Sequence, residues 1–593
     1  MAALGSGDRE AVDTALAALA QRELVRRLPA STMAGEREYA FWHALARDVA
    51  YTTQPRAERL DGHLGVAEWI GGQGAGAHTA GVVAHHLVAA LDLATAIGGV
   101  AGVEGLRLRA RDALGEAAAA MLPIDPGAAT ALYERALSLA PAGDMVRARL
   151  LFGFGEAAGR AARNREAVAA LDAALLLFEA EGEAEQAGRV MLSMSWPLLA
   201  TMDPRLDAFA IRALAIFEPL GPSADLVRAL TERAWVALRN PNDDLRGYVD
   251  RALEVAASLA LPVPTRALAL RGQARLMTGD IDGGFADFDL ALEEALRAGS
   301  WADAAELAGN YLSYVWFHHG PAAAAPGTQR MVTVCEEHGL ASMGLYYRGN
   351  LASVRAAMGD LEGGRQTIDA LVEPVMRSGD RLRLLDTRVT QAEIALARGD
   401  VATLRTVEAD LRVGADDPRN DEPASARFLA AAVLLGTGDR EAARSYLHAA
   451  VASDHGTSQY WCYLAPMTRV ALELGEVGVA ADLVRGVSGR AAIQRHGMLT
   501  NAALVAEWRG ELQPALADFE RAAEAWGAFD TPLEAAAARL GASRCSLGLG
   551  QLHDAGVAAR DAAEAFRQIG AHAWVAEAEA VKDLIALAAA VTG

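Results

Sequence analysis

Gly510-Glu511-Leu512-Gln513-Pro514-Ala515-Leu516-Ala517-Asp518-Phe519-Glu520-Arg521-Ala522 is the stretch on which the fold turns. A glycine and an acidic residue open it. A small, a large and a small residue follow at Ala515, Phe519 and Ala522. Steps of four and three place those side chains on one face of a helix. Glycine accepts the left-handed backbone that ends a preceding helix. The acidic neighbour favours the positive end of the helix that follows. The stretch therefore predicts a helix, a tight turn and a second helix packed against the first.

The same signal recurs along the chain. Gly279-Asp280, Gly359-Asp360, Gly399-Asp400, Gly438-Asp439 and Gly475-Glu476 precede it, and Gly550-Gln551 follows. From Gly359 onward the steps are 40, 39, 37, 35 and 40 residues, and Gly320 halves the gap between Gly279 and Gly359. Asn240, Asp203, Asn164 and Ile124-Asp125 carry the period back toward the N-terminus. Offsets of five, nine and twelve give Gly284, Phe288 and Ala291; Ala443, Leu447 and Ala450; Ala480, Val484 and Val487; and Leu245, Val249 and Ala252. One hairpin cannot bury its apolar stripe alone, whereas stacked hairpins can. The expectation is an all-α, right-handed solenoid of about twelve helical hairpins over residues 106–593. Each hairpin is expected to touch only its neighbours.

Composition agrees. Aromatic residues are only 6% of the 593 residues while apolar residues reach 52%, much of that alanine, which favours helix over sheet. A net charge of −21 disfavours bulk nucleic-acid binding, which needs cations to displace phosphate counterions. Lys582 is the single lysine, so no Gly-Lys-Ser/Thr phosphate loop exists. Cys335, Cys462 and Cys545 lie far apart, which excludes a CxxC pair and suits a reducing, cytoplasmic setting. Apolar runs such as Phe428 to Leu435 fall short of a bilayer span, so no membrane association is expected.

No catalytic, cofactor-binding or metal-binding residues are predicted. His85-His86 and His318-His319 are adjacent, and neighbours on a helix diverge by about 100°, unlike a pair four residues apart. Gly72, Gly74 and Gly76 follow a helix rather than a strand and read as a linker. Asp243-Asp244 reads as a turn and cap. Aromatic residues cluster at Tyr311 and Trp316, at Tyr346-Tyr347 beside Arg348, and at Tyr460-Trp461-Cys462-Tyr463. On a solenoid's concave face such residues anchor a ligand. Tyr311, Trp316, Tyr347, Tyr460 and Trp461 are therefore the candidate binding residues, for a protein or peptide partner; core packing between hairpins is the other reading of the same aromatics.

The small–large–small pattern after Gly-Asp resembles the second helix of tetratricopeptide repeats, whose usual length is about 34 residues. Phe41 to Tyr51, Phe-Trp-His-Ala-Leu-Ala-Arg-Asp-Val-Ala-Tyr, and His63-Leu64-Gly65-Val66-Ala67 resemble the end of the winged-helix module in STAND-type signalling ATPases. The likeness is nearest to proteins that join an adenylate/guanylate cyclase domain, an ATPase and a repeat tail. It implies a winged-helix remnant over residues 1–70, a connecting helix and linker over 71–105, and then the repeats. It also implies a non-catalytic sensing half that regulates an ATPase or cyclase domain in cis or in trans. DNA binding through the winged-helix segment, with Arg22, Arg26 and Arg27, is the alternative.

Overall fold

The computed structural model describes residues 9–29, 31, 37–72, 77–141, 143–238, 243–417, 423–452 and 458–592. Asn240, Gly74 and Gly76, on which parts of the turn and linker reading rest, lie outside them. Helix accounts for 81% of the chain. Among the described residues the strands are Val25–Arg27 and Tyr39–Phe41, paired antiparallel with Val25 opposite Phe41. Two compact units emerge: Met1–Ala158 with Ala169–Gly182, and Gly159–Val168 with Glu183–Gly593.

In the first unit, the helices Arg56–Gly71, Ala77–Ile97, Val103–Met121 and Pro126–Leu139 each pack on the next. Their contact faces are lined with buried alanines, among them Ala84, Ala90, Ala94, Ala110, Ala117, Ala129 and Ala136, which let the helices approach closely. Asp125 caps the last of these helices, its carboxylate accepting from the Ala128 amide at 2.9 Å. Thr79–Ile97, with a mean hydropathy of 1.6, is long and apolar enough to cross a membrane, which the apolar-run reading overlooked because Asp92 and two histidines interrupt it. Here it packs between two neighbouring helices.

Those histidines form a cluster. His63 Nδ1 lies 2.8 Å from His86 Nδ1, and Tyr51 Oη lies 2.8 Å from His63 Nε2. The His85 ring sits beside both, and the Arg59 guanidinium covers the Tyr51 ring at 4.9 Å. Burial, then His63 and His85, lower the His86 pKa to about 4. Burial, then His85 and Arg59, lower that of His63. A histidine depressed when folded costs nothing above its unfolded pKa near 6.5, and its unfolded form gains the proton below it. Protection of residues 56–97 in hydrogen exchange, corrected for intrinsic rates, should therefore fall between pH 7 and pH 5. The loss should be about 1 kcal/mol after discounting for partial exposure, and His86→Asn should shrink it.

The second unit builds hairpins from the Gly-Asp pairs as the sequence anticipates. The helix Thr265–Thr278 ends at Gly279, whose φ is +100°, and Ile281–Arg297 begins after Asp280. The Asp280 amide donates to Arg275 O at 2.9 Å and the Gly279 amide to Leu276 O at 3.3 Å, closing the first helix. The Asp280 carboxylate accepts from the Gly283 amide at 3.1 Å and opens the second. Asp360, Asp400 and Asp439 cap in the same way. Glu476, Glu511 and Gln551 make no such side-chain bond, so there the turn relies on glycine. Phe288, Leu447 and Phe519 are buried at their offsets, each between two buried small residues. The helix after Gly475 ends at Asp482, so Val484 and Val487 lie beyond it, and the helix after Gly359 likewise ends early, at Asp369.

Hairpins here also touch more than their sequence neighbours, contrary to the expectation for a simple solenoid. The second unit winds into a superhelix whose successive gyres stack. Arg490 donates to Met277 O, 213 residues away, and its side chain covers Gly279. A methyl group placed on Gly320 would lie 2.7 Å from Phe529 O. On Gly359 it would lie 2.6 Å from Ile569 Cγ2 and 2.9 Å from Pro532 Cγ, and on Gly399 it would lie 3.5 Å from Ala573 Cβ. On Gly379 it would lie 3.0 Å from Arg165 Cγ. Four of these pairings span about 210 residues, or a little over five hairpins per gyre at the observed repeat length. Turns on the last gyre are open: Gly438, Gly475, Gly510 and Gly550 have nothing within 4 Å of an added methyl. The cores merge accordingly, one joining Leu307, Tyr314 and Phe317 to Phe519 and Trp526.

Candidate functional site: the lumen of the second unit

The stacked gyres surround a half-open cavity of about 1200 Å³. Its wall is formed chiefly by the first helix of each hairpin: Trp301–His319, Ala341–Ala357, Arg381–Arg398, Pro423–Thr437, Leu464–Glu473, Ala492–Trp508 and Pro532–Gly548, with the terminal His572–Thr592. The repeat places these helices inward because the small–large–small face of the second helix packs against them.

The helix 381–398 supplies the polar side. Arg383, Asp386, Thr390 and Glu393 recur at steps of three and four and share the lumen face. Leu385, Ala392 and Ala395 pack in an apolar core. Arg383 donates to Asp386 at 2.7 Å and lies 4.4 Å from the centre of the Tyr346 ring. Arg469 forms a two-pronged pair with Glu534 and covers the Trp574 ring at 5.2 Å. Arg544 grips Glu507 at 2.6 and 3.0 Å and reaches Glu577 at 3.2 Å.

Glu393 is different. Its carboxyl accepts from the Tyr463 hydroxyl at 2.6 Å, a neutral donor at the junction of the helices Ser458–Cys462 and Leu464–Glu473. The side chain touches the lumen and is half-buried, and burial raises its pKa to about 7 against the opposing effect of the tyrosine bond. Tyr463 stands against Phe428, ring centres 5.0 Å apart, and burial raises its pKa well above the ordinary phenol value.

The aromatic candidates divide. Trp316 lines the cavity, and its indole Nε1 is buried without a hydrogen-bond partner. Trp461 lies behind the wall, 6.0 Å from the Phe317 ring. Tyr311 packs on Phe285 and Phe288 and donates to Asp289 at 2.7 Å. Tyr347 and Tyr460 are fully buried, so neither presents a binding surface, and each donates its hydroxyl to a backbone carbonyl, of Ala305 and Leu483 respectively. Tyr346, the sequence neighbour of Tyr347, and Tyr463, three positions after Tyr460, are the tyrosines that line the lumen. Adjacent residues on a helix point about 100° apart, so an aromatic cluster marks the region but not the phase. Arg348 turns back to Gly344 O at 3.2 Å. The signal that does find the site is the polar stripe Arg383, Asp386, Thr390 and Glu393.

No protein-family model and no curated protein sequence matches the chain. Among solved structures, a chain from the crystal structure of the APC/C hetero-tetramer Cut9–Hcn1 aligns at 13% identity and a TM-score of 0.43. That alignment covers 78% of this chain and 93% of the other. A Rap protein complexed with competence and sporulation factor aligns at 12% identity and a TM-score of 0.27, covering 68% of this chain and 99% of the other.

Proposed function

We propose that the second unit is a non-catalytic binding module whose lumen receives an extended segment of a partner protein. The observation that carries this reading is the 1200 Å³ cavity, larger than the usual range of about 300–1000 Å³ for small ligands. Its wall combines aromatic faces with fixed polar groups, the mixture that orients a ligand. The three arginines are held by carboxylates, so the polar wall is preorganised and loses little on binding. The resemblance of Phe41 to Tyr51 supports a cytoplasmic regulatory role beside an ATPase or cyclase domain.

Gly349 offers a direct test. It lies in the lumen wall on the helix 341–357, and a methyl group placed on it would meet nothing within 4 Å, so a larger side chain has room to start into the lumen. Gly349→Trp should fill the lumen without disturbing the fold. Peptides selected from a random dodecapeptide library on the wild-type chain should bind Gly349→Trp at least tenfold more weakly. Undiminished binding to that variant would refute the lumen as the site.

A further inference from the structure

The lumen wall is acidic in a specific way. Asp386, Glu393, Glu473, Glu507, Glu534 and Glu577 face three arginines, Arg383, Arg469 and Arg544. Asp386, Glu507, Glu534 and Glu577 pair with those arginines. Glu393 and Glu473 form no ion pair among the described residues. Glu473 is exposed, whereas Glu393 is half-buried and bonded through one oxygen to Tyr463. Its other oxygen has no partner among the described residues. Tyr463 stands beside it, the Phe428 ring lies 5.0 Å from the tyrosine ring, and Phe428 and Trp316 line the same cavity. A carboxylate among ring faces is the arrangement that holds an ammonium or guanidinium group, through charge and cation–π attraction together.

Resting on the reading of the lumen as a peptide site, we infer that Glu393 and Tyr463 form an anchor for one cationic side chain, arginine or lysine, of the bound segment. Charge complementarity commits the occupant: carboxyl groups outnumber arginines on the wall, so an acidic segment would meet a surplus of like charge. The raised pKa of Glu393 fits an acid held in reserve, since a cation arriving beside it restores the carboxylate. Tyr463 is a positioning residue that fixes the carboxyl plane.

Parallel selections with the same dodecapeptide library on wild type and on Glu393→Gln test the anchor. Glutamine keeps an oxygen for the Tyr463 hydroxyl and removes only the charge. Peptides selected on wild type should share one arginine or lysine position that is absent from those selected on the variant. A synthetic wild-type-selected peptide with citrulline or norleucine at that position should bind wild type at least tenfold more weakly, and should show less than a twofold change on Glu393→Gln. If peptides displaced by Gly349→Trp show no fixed cationic position, or the neutral replacement costs the same on both proteins, the anchor is refuted while the lumen reading stands. If the selected peptides bind Gly349→Trp undiminished, the lumen reading fails and the anchor with it.

Discussion

Phe519→Ala should destabilise the second unit by about 3–5 kcal/mol, the cost of emptying a fully buried aromatic site. Phe519 is 1% exposed, and its ring presses on Gly541 of the next hairpin, where a methyl group would not fit. In a simple solenoid the damage would stay within adjacent hairpins. Here Phe519 shares a core with Leu307, Tyr314 and Phe317 of the gyre above. Hydrogen exchange should therefore rise around residues 495–565 and also over 301–319, while residues 103–139 of the first unit keep wild-type protection. A loss confined to 495–565 would mean that the gyres do not share a core. Uniform loss along the whole chain would mean a single cooperative globule.

Gly359→Val and Gly510→Val should separate turn strain from gyre stacking. Both glycines have positive φ, +92° and +78°, and a β-branched residue is strained there by about 1–3 kcal/mol. Gly510 has open space around it, so strain is its whole cost. Gly359 also meets Ile569 and Pro532, so overpacking adds about 1–3 kcal/mol. Urea unfolding followed by circular dichroism should rank Gly359→Val well below Gly510→Val. Equal losses would show that the turn at Gly359 is free of the next gyre.

The local unit was legible because its signals are covalent and short-range. Gly279-Asp280 ends one helix and starts the next through bonds that reach no more than six residues. Small–large–small spacing set the buried face, and Ala515, Phe519 and Ala522 occupy it. Stacking was not legible, because nothing local distinguishes Gly359, covered by Ile569, from Gly510, which is open. That difference depends on how far each hairpin rotates against the last, summed over about 210 residues. The site suffered from the same gap. Tyr460 and Tyr463 look alike in sequence, yet one is core and the other bonds Glu393 at the lumen wall. Glu393 itself follows a polar stripe that reads as a solvated face unless helices surround it.

The stacking of gyres, which creates the lumen, is tested most directly by a cross-link. A Cβ on Gly399 would lie 3.5 Å from Ala573 Cβ, 174 residues away, within the range of about 3.5–4.5 Å that a disulfide requires. The paired variant Gly399→Cys/Ala573→Cys, with Cys335, Cys462 and Cys545 replaced by alanine, should form a 399–573 disulfide under mild oxidation. Peptide mass spectrometry would identify it, and the Gly399→Cys single variant controls for strain at positive φ. Formation of that bond at near-complete yield is the predicted result. Free thiols at both positions, in a chain that keeps its full helical circular dichroism, would contradict it.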